Sequence, residues 1–310
     1  MNVKRFIKRS AVGLIGAAVI SLFTLYALLD TFVIERTYAV VTNGSPETET
    51  ETETETETET EAERAIEAVV TENSYTNGNI TVTIEEYRVD DTTVYVADVT
   101  VSSPEYLLTA FAYDSYGRNI KDETSSIAAE HGAILAVNGD FYGSRNTGYV
   151  VRNGVLYRNV SAGNEDLVIW SDGSFSIVNE REVTAEDLLA DGAVQVFSFG
   201  PALIIDGEVA VGEDDEVGRA MASNPRTAIA YVDECHYLFI VSDGRTTASE
   251  GLTLAELAKF AKSIGAETCY NLDGGGSSTM YFMGKVVNNP TSSGRNISER
   301  SVSDIVYVGY

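Results

Sequence analysis

The chain has 310 residues, of which 44% are hydrophobic and 22% charged, a composition typical of a globular protein with one or two domains. Its 21 Lys and Arg against 47 Asp and Glu give a net charge of −26, which repels nucleic-acid phosphates over most of the surface. Nucleic acid is therefore not expected as a partner. The only two cysteines, Cys235 and Cys269, exclude a Cys-rich zinc module and leave one optional disulfide.

The amino-terminal segment predicts a membrane anchor. Four basic residues within 1–10 precede nineteen uncharged residues, and the predicted span covers 11–34. Basic residues in front of a span favour a cytoplasmic N-terminus, so we expect a single-pass protein of the cell membrane with its remainder outside the cytoplasm. A cleaved secretory signal is the alternative, although the apolar run is longer than a typical signal core. Both interpretations export the rest of the chain.

A low-complexity segment separates this region from the globular part. Glu and Thr alternate from Glu47 to Glu61, within a predicted linker over 35–72. Like charges at every second residue leave no apolar face to bury, so we expect a solvated, self-repelling stalk. Cation binding by the tract is a weaker alternative to a plain spacer.

Residues 73–310 predict a single globular domain of the α+β class, built of mixed β-sheets around a central β-α-β unit. Alternating Val, Thr and Tyr predict strands over 80–87, 93–101 and 107–113. A helix is expected over 122–131, and the apolar run 133–137 predicts the strand that follows it.

The β-α-β unit lies between Tyr237 and Leu272. Its first strand ends at Ser-Asp243-Gly-Arg245, and Thr253 and Glu256 form a capping box at the start of an amphipathic helix. The second strand leads into Asp273-Gly-Gly-Gly-Ser-Ser. Because such a crossover joins parallel strands, Asp243 and Asp273 should emerge at one edge of a sheet, where open α/β folds bind ligands.

Three further features favour an anion site at this edge. The triple glycine with the two serines after it forms a possible backbone nest for a phosphate, although Asp-Gly is also a common turn. Asn138-Gly-Asp140 follows another apolar strand and supplies a further carboxylate. Arg226 and Arg245 both adjoin these motifs, and two guanidinium groups can hold an anion bidentately.

Five motifs together resemble the phosphodiester glycosidase family, whose bacterial members are often called exopolysaccharide-biosynthesis proteins. The motifs are NGDFY at 138–142, NPRTAIA at 224–230, SDGRTTASEGLTLAELAKF at 242–260, NLDGGGSSTM at 271–280 and ERSVSDIVYV at 299–308. The resemblance covers roughly residues 75–310 in the expected order.

This resemblance implies a hydrolase that cleaves the bond between a sugar C1 and a phosphate oxygen, as in an N-acetylglucosamine-1-phosphodiester of an extracellular or envelope glycan. No cofactor is implied. The acid/base candidates are Asp140, Asp243 and Asp273, with Glu250 and Glu299 behind them. The candidates for binding the substrate and its phosphate are Asn138, Arg226, Arg245, Gly274, Gly275, Gly276, Ser277, Ser278 and Arg300.

Several alternatives remain open from the sequence. A non-catalytic protein that binds an anionic cell-surface polysaccharide would use the same arginines and glycines, and a structural surface protein would use neither. The acidic residues could instead coordinate Ca²⁺, although no calcium-loop spacing is present. His131 and His236 are expected at the surface or in packing. A bridge between Cys235 and Cys269 is plausible for an exported domain, although parallel strands in register would hold them too far apart.

Overall fold

The computed structural model describes residues 20–29, 33–37, 68–212 and 223–310. The helices are α1 (residues 20–29), α2 (Thr124–Glu130), α3 (Ala185–Ala190) and α4 (Leu254–Ser263). The strands are β1 (Arg36–Thr37), β2 (Val69–Val70), β3 (Ser74–Thr76), β4 (Ile80–Val89), β5 (Thr92–Val101), β6 (Leu107–Phe111), β7 (Gly117–Arg118), β8 (Leu135–Asn138), β9 (Val150–Arg152), β10 (Val155–Arg158), β11 (Glu165–Trp170), β12 (Phe175–Asn179), β13 (Ala193–Phe197), β14 (Ala202–Ile205), β15 (Glu208–Val209), β16 (Arg226–Asp233), β17 (His236–Ser242), β18 (Thr268–Asn271), β19 (Met280–Phe282), β20 (Lys285–Val286) and β21 (Asp304–Val308).

Three large sheets build the domain. Nine strands form the first, in the order β15-β14-β18-β16-β17-β5-β4-β3-β2. Two five-stranded sheets have the orders β10-β9-β13-β11-β12 and β20-β19-β8-β21-β6, and β1 pairs with β7 separately. The domain is single and globular, as predicted, but it is mostly β rather than α+β, because short helices cover sheets whose neighbouring strands pair antiparallel.

The nine-stranded sheet is buried on both faces in its centre. In β16, Ala228 and Ala230 pack toward α4, whereas Ile229 faces the main core, which is the period of two expected of a strand. The main core also takes in residues of β8, β11, β13 and β21 from the two smaller sheets. Helices α2 and α3 pack on those smaller sheets with clusters of their own. The site is therefore held between layers of buried strands.

The predicted β-α-β unit is present with one difference. Helix α4 begins with the expected capping box, in which Thr253 and Glu256 each bond the other's backbone N–H. The strands β17 and β18 run parallel within one sheet, but β16 lies between them and pairs antiparallel with both. The antiparallel direction of β16 places its first residue, Arg226, at the same edge as the carboxyl ends of β17 and β18.

The predictions for the amino-terminal segment are only partly described by the structure. The described part of α1 covers ten residues of the predicted span 11–34, and the described part of the chain contains no helix that is long and apolar enough to cross a membrane. The segment 1–10, the rest of the span apart from residues 33 and 34, and the Glu-Thr tract lie outside the described residues. Strands β1 and β2 both fall inside the predicted linker 35–72, and β2 begins four residues before the predicted domain boundary at 73.

Candidate active site

The motifs singled out in the sequence converge at one edge of the nine-stranded sheet. Arg226 pairs with Ser242 across β16 and β17, and Ala228 pairs with Asn271 across β16 and β18. The segments 224–226, 243–245 and 271–275 therefore leave the sheet side by side. Strand β8, which ends at Asn138, joins them from a neighbouring sheet.

Asn138 ties these segments together and is itself fully buried. Its amide Nδ2 donates to the Asp273 carbonyl at 2.6 Å, and its Oδ1 accepts from Thr227 Oγ1 at 2.8 Å and from the Thr279 backbone N–H at 3.3 Å. The Asp273 backbone N–H donates to the Gly139 carbonyl at 3.3 Å. Asn138, predicted to bind substrate, thus fixes the backbone around Asp273.

Asp273 is the carboxylate at the centre of the site. Its Oδ2 accepts from Ser277 Oγ at 2.6 Å and from Arg300 Nη2 at 3.0 Å. Burial raises the pKa of Asp273, and the positive charge of Arg300 with the hydrogen bond from Ser277 opposes that rise. A half-buried acid next to a single arginine is suited to exchange a proton or to stabilise a positive centre.

Arg245 and Arg300 flank the glycine turn on two sides. Arg300 Nη2 donates to the Gly274 carbonyl at 3.2 Å, and a Cβ added to Gly275 would lie 2.8 Å from Arg245 Nη2. Arg245 itself is held by Asn224 Oδ1 and by the Ser292 carbonyl, the latter at 2.7 Å. Partial burial lowers the pKa of Arg245, and so does the positive charge of Arg300. Two cations this close favour an anion between them.

Arg226 completes the positive side of the turn. It is buried, and its Nε donates to the Leu252 carbonyl at 2.8 Å. A Cβ on Gly274 would lie 3.9 Å from Arg226 Cα and Cδ, so the stem of this arginine adjoins the glycine turn. The three arginines predicted from the sequence are therefore grouped around one backbone turn.

The glycine turn itself is a short 3-10 segment over Gly275–Ser277. Most of its described backbone N–H groups donate to carbonyls within the turn. The Gly275 N–H donates to the Pro225 carbonyl at 2.8 Å, and the N–H groups of Ser277 and Ser278 donate back to Gly274 and Gly275 at 3.3 Å. Ser278 is fully buried, and Gly276 packs where a Cβ would meet Ser292 Oγ at 2.2 Å. Close approach explains the glycines here, and the nest predicted for the phosphate has these amides already engaged.

Asp140 belongs to a buried ionic cluster that the sequence analysis did not find. Arg152 Nη2 lies 3.0 Å from Asp140 Oδ2 and 2.9 Å from Asp304 Oδ2, and all three side chains are nearly or wholly buried. The ring of Phe197 lies 4.1 Å from the Arg152 guanidinium carbon. Burial raises the pKa of Asp304 to about 7, while Arg152 opposes the rise and Asp140 adds to it. The cluster fixes Asp140 against the back of the site.

Asp243, although it leaves the same sheet edge, holds a loop. Its Oδ1 accepts from the Asn289 backbone N–H at 2.8 Å and from Asn288 Nδ2 at 3.4 Å, and its Oδ2 accepts from Asn289 Nδ2 at 2.9 Å. The carboxylate is buried and is not among the residues lining the cleft. Its described contacts therefore support the 288–289 segment.

The two glutamates proposed as reserves lie away from the cleft. Glu250 is exposed, and its carbonyl accepts from the Arg245 backbone N–H at 3.0 Å. Glu299 accepts from the Ser125 backbone N–H at 3.0 Å and from Ser125 Oγ at 2.5 Å. It therefore caps the first turn of α2.

The cysteine and metal predictions also have structural outcomes. Cys235 and Cys269 are both free, so the proposed bridge is wrong: Cys235 lies in the turn between β16 and β17, and Cys269 is buried within β18 opposite Ala230. His236 contacts Asp98 and Asp233, and His131 contacts Asp114. Within the described ranges, no group of three or more His, Cys, Asp or Glu side chains could hold a metal ion, and the calcium alternative finds no site there.

The cleft consists of two hollows that meet at Asp273 and Arg300. The smaller, about 350 Å³, is lined by Lys121, Asp140, Phe141, Asp273, Ser277, Arg300, Ser301, Val302 and Ser303. The larger, about 820 Å³, is lined by Arg145, Thr147, Ala162, Asn164, Glu165, Phe199, Gly200, Pro201, Asn224, Arg226, Arg245, Leu254, Asn271, Asp273, Gly274, Gly275 and Arg300. Both volumes are in the range of small-molecule sites.

The far wall of the larger hollow comes from the five-stranded sheet around β11, which no sequence motif marked. Glu180 shapes it by accepting from the backbone N–H groups of Gly163 at 2.6 Å and Asn164 at 3.2 Å. The Tyr270 hydroxyl joins this wall to the nine-stranded sheet, since it donates to the Glu165 carbonyl at 2.8 Å and accepts from the Phe199 N–H at 3.0 Å. These contacts join residues up to 105 positions apart, which motif analysis cannot pair.

Comparison with family models gives a match to the phosphodiester glycosidase family over residues 131–309. The matched region includes all five motifs named in the sequence analysis. Among curated proteins, the chain is 28% identical over 236 residues to the SPbeta prophage-derived uncharacterized protein YomE of Bacillus subtilis (strain 168). The match covers 70% of this chain and 36% of YomE, so the chain spans about a third of that relative's length.

Solved structures show the same fold. The zebrafish N-acetylglucosamine-1-phosphodiester alpha-N-acetylglucosaminidase catalytic domain, auto-inhibited by its pro-peptide, aligns with a TM-score of 0.59 at 20% identity, over 74% of this chain and 83% of that one. A hypothetical protein from Synechocystis aligns at 0.56 and 15% identity, over 75% and 62%. A putative exported protein from Burkholderia pseudomallei K96243 aligns at 0.53 and 16% identity, over 70% and 74%.

Proposed function

Because the chain belongs to the phosphodiester glycosidase family, we propose that it hydrolyses a glycosyl-1-phosphodiester at the bond between the sugar C1 and the phosphate oxygen. The observation that carries the proposal is the grouping of Arg226, Arg245 and Arg300 around one glycine turn, directly beside the half-buried carboxylate of Asp273. In a chain of net charge −26, such a concentration of guanidinium groups is a specific anion site.

The phosphate is expected in the larger hollow, next to Gly274 and Gly275. Arg245 and Arg300 approach this turn from two sides, and their mutual repulsion is relieved when an anion lies between them. Gly274 and Gly275 have no side chains, so the phosphate can come close to their backbone. The guanidinium groups, rather than the internally bonded amides, would then supply most of the binding.

The sugar is expected in the smaller hollow. Asp140 and Asp273 both line it, and Lys121 and the serines of 301–303 add polar groups around its rim. Its volume of about 350 Å³ is at the small end of ligand sites and suits one monosaccharide unit. This placement puts C1 at the junction of the two hollows, where Asp273 and Arg300 lie.

The leaving group needs little protonation by a general acid, because a phosphate monoester is stable as an anion. Water supplies an oxygen to C1, the C1–O bond breaks with its electron pair passing to the phosphate, and the proton of the water passes to a carboxylate. Asp273 is the residue that we expect to contact the reacting centre. Arg300 stabilises the charge on the departing phosphate. Whether Asp273 acts as nucleophile or as base is decided by the anomeric configuration of the released sugar.

The test is release of free sugar by the full chain from UDP-N-acetylglucosamine and a panel of glycosyl-1-phosphodiesters. We expect Asp273→Asn to lower turnover by about 100-fold or more, while the exposed control Asp91→Asn retains it. Loss of turnover in Asp273→Asn with anionic substrates still bound supports a glycosidase. Absence of release from every donor by the wild type, with anionic glycans still bound, would instead favour the non-catalytic polysaccharide-binding protein.

Export of the domain is a separate proposal that rests on the basic and apolar pattern of the first 34 residues. A sugar-phosphate glycan of the cell envelope would then be the accessible substrate. Two fusions after residue 310 test it: one carries a reporter that is active only outside the cytoplasm, and the other a reporter that is active only inside it. If the first fusion is inactive and the second is active, export is refuted.

A further inference from the structure

We infer that the substrate carries a second anionic group, on the side of the phosphodiester away from the sugar, and that Arg145 binds it. This inference rests on the proposed function, because it assigns what lies beyond the reacting phosphate. The substrate class it names is a sugar-1-phosphodiester whose aglycone bears a further phosphate, such as a unit of a repeating sugar-phosphate polymer.

Arg145 is a half-buried cation without a carboxylate partner in the described part of the chain. Its Nη1 donates to the Ser198 carbonyl at 3.2 Å, and its guanidinium carbon lies 5.2 Å from the centre of the Phe199 ring and 5.8 Å from that of Phe141. Glu165 lines the same hollow but is exposed and forms no ion pair with Arg145. A guanidinium withdrawn from water in this way is stabilised when an anion binds.

The loop that carries Arg145 is held rigidly by a second arginine. Arg158 is buried, and its Nε donates to the Gly148 carbonyl at 2.6 Å while its Nη1 donates to the carbonyls of Tyr142 and Arg145 at 3.0 and 2.8 Å. Arg158 therefore donates its hydrogen bonds to carbonyls of the loop, whereas the guanidinium group of Arg145 lines the cleft. Little conformational entropy is lost when a ligand meets a side chain on a fixed loop.

The charges lining the larger hollow exceed the needs of one phosphodiester. Among the described residues, four guanidinium groups and two carboxylates line it, namely Arg145, Arg226, Arg245, Arg300, Glu165 and Asp273. A phosphodiester carries one negative charge, and three of these arginines are already grouped around the glycine turn. Arg145 belongs to the opposite wall, built from the five-stranded sheet around β11, and so addresses a different part of the ligand.

The size and lining of this hollow fit an extended aglycone. Its volume is about 820 Å³, more than twice that of the smaller hollow. Phe199 and Pro201 give the wall beside Arg145 an apolar patch on which a polyol or sugar ring can pack. A second phosphate one unit along the chain would then reach Arg145 while the first remains at the glycine turn.

The experiment compares two substrates that differ by one phosphate group. N-acetylglucosamine-1-phosphoglycerol carries one phosphate, and its glycerol-phosphorylated derivative carries two. For the full chain, its Arg145→Gln and Arg145→Lys variants and the exposed charge control Arg88→Gln, we would measure kcat/KM for sugar release and Kd by calorimetry. UDP-N-acetylglucosamine serves as a third probe, with its second phosphate directly attached to the first.

We expect the wild type to favour the bisphosphate by about tenfold or more, since a hydrogen bond to a charged group is worth about that factor. Arg145→Gln should remove the preference, because it should lower kcat/KM for the bisphosphate by about tenfold more than kcat/KM for the monophosphate. Arg145→Lys should retain part of the preference, and Arg88→Gln all of it. Equal losses on both substrates, or no preference in the wild type, would overturn the inference.

Calorimetry separates this failure from failure of the proposed function. If no variant releases sugar but Arg145→Gln still weakens binding of the bisphosphate alone, the second anion site stands and the hydrolase proposal fails. If sugar is released from both substrates with equal efficiency, the hydrolase stands and the second site fails. An Arg145-dependent preference confined to UDP-N-acetylglucosamine would overturn the substrate class, because it would place the second phosphate next to the first.

Discussion

Asp304 offers the most direct physical test of the buried cluster behind the site. Its carboxylate shares Arg152 with Asp140, and one of its two oxygens is buried without a hydrogen-bond partner among the described residues. Burial raises its pKa to about 7, against an ordinary value of 3.8. The substitution Asp304→Asn keeps the shape and an acceptor for Arg152 but cannot ionise.

The sign of the effect follows from proton binding. Between about pH 4 and pH 7, the folded protein holds a proton on Asp304 that the unfolded chain has lost, so the free energy of unfolding falls as the pH rises. At about 1.4 kcal/mol per pKa unit, the full loss is about 4 kcal/mol. Asp304→Asn removes this loss. Relative to the wild type, the variant should therefore gain about 4 kcal/mol between pH 4 and pH 8.

Urea unfolding of both proteins at several pH values between 4 and 8, followed by tryptophan fluorescence and far-ultraviolet circular dichroism, measures this difference. Asp166, whose pKa burial raises to about 9, is common to both proteins and cancels. Asp91→Asn, at an exposed position, is the control and should run parallel to the wild type. A difference between Asp304→Asn and the wild type that stays constant across this range would refute the reasoning.

Three further substitutions separate structural from catalytic acids. Glu299→Ala removes the carboxylate that accepts from Ser125 in the first turn of α2. The free energy of unfolding should fall by about 1 kcal/mol, measured by thermal unfolding, while sugar release stays within about twofold of the wild type. Asp243→Ala removes the acceptor for the buried amide of Asn288 and the part-buried amides of Asn289 and should cost about 1 kcal/mol in urea unfolding, while turnover per folded molecule is largely kept. Gly275→Ala places a Cβ 2.8 Å from Arg245 at a backbone φ of 64°, and should raise KM by about tenfold more than it lowers kcat.

Each of these expectations has a clear contrary result. If Glu299→Ala loses turnover without losing stability, Glu299 is a catalytic residue after all. If Asp243→Ala loses turnover without losing stability, the same conclusion applies to Asp243. An unchanged KM in the alanine variant of Gly275 would show that Arg245 does not depend on the space above the glycine.

Local signals in the sequence located much of the fold. Helix α4 begins at the predicted capping box, and β4, β5 and β6 begin within one residue of their predicted starts, because alternating apolar residues fix which strand face is buried. The position of β16 between β17 and β18 was missed, since strand order within a sheet depends on contacts that no local pattern records. For that reason the unit was expected to be more α/β in character than it is.

The sequence motifs mark one side of the candidate site, at the edge of the nine-stranded sheet. They do not mark the opposite wall, which is built around β11. Asp273, Arg226 and Arg245 lie together because each follows or begins a strand at one edge of the nine-stranded sheet, and Arg300 joins them through the Gly274 carbonyl. The partner of Asp140 is Arg152, and its further partner Asp304 lies 152 positions from that arginine. An ion pair buried between two sheets cannot be distinguished in sequence from ordinary surface charges.

The position of β21 has a consequence for how the domain folds during synthesis. Residues 304–308 form the strand between β8 and β6, which are made more than 160 residues earlier. Until this strand leaves the ribosome, the facing edges of β6 and β8 are unpaired, and Asp140 and Arg152 lack their third partner. Long-range pairing of this kind slows folding and exposes sheet edges meanwhile. The sheet that contains β6, β8 and β21 should therefore be completed only at the end of synthesis. A chain stalled before residue 304 should be a target for chaperones or proteases.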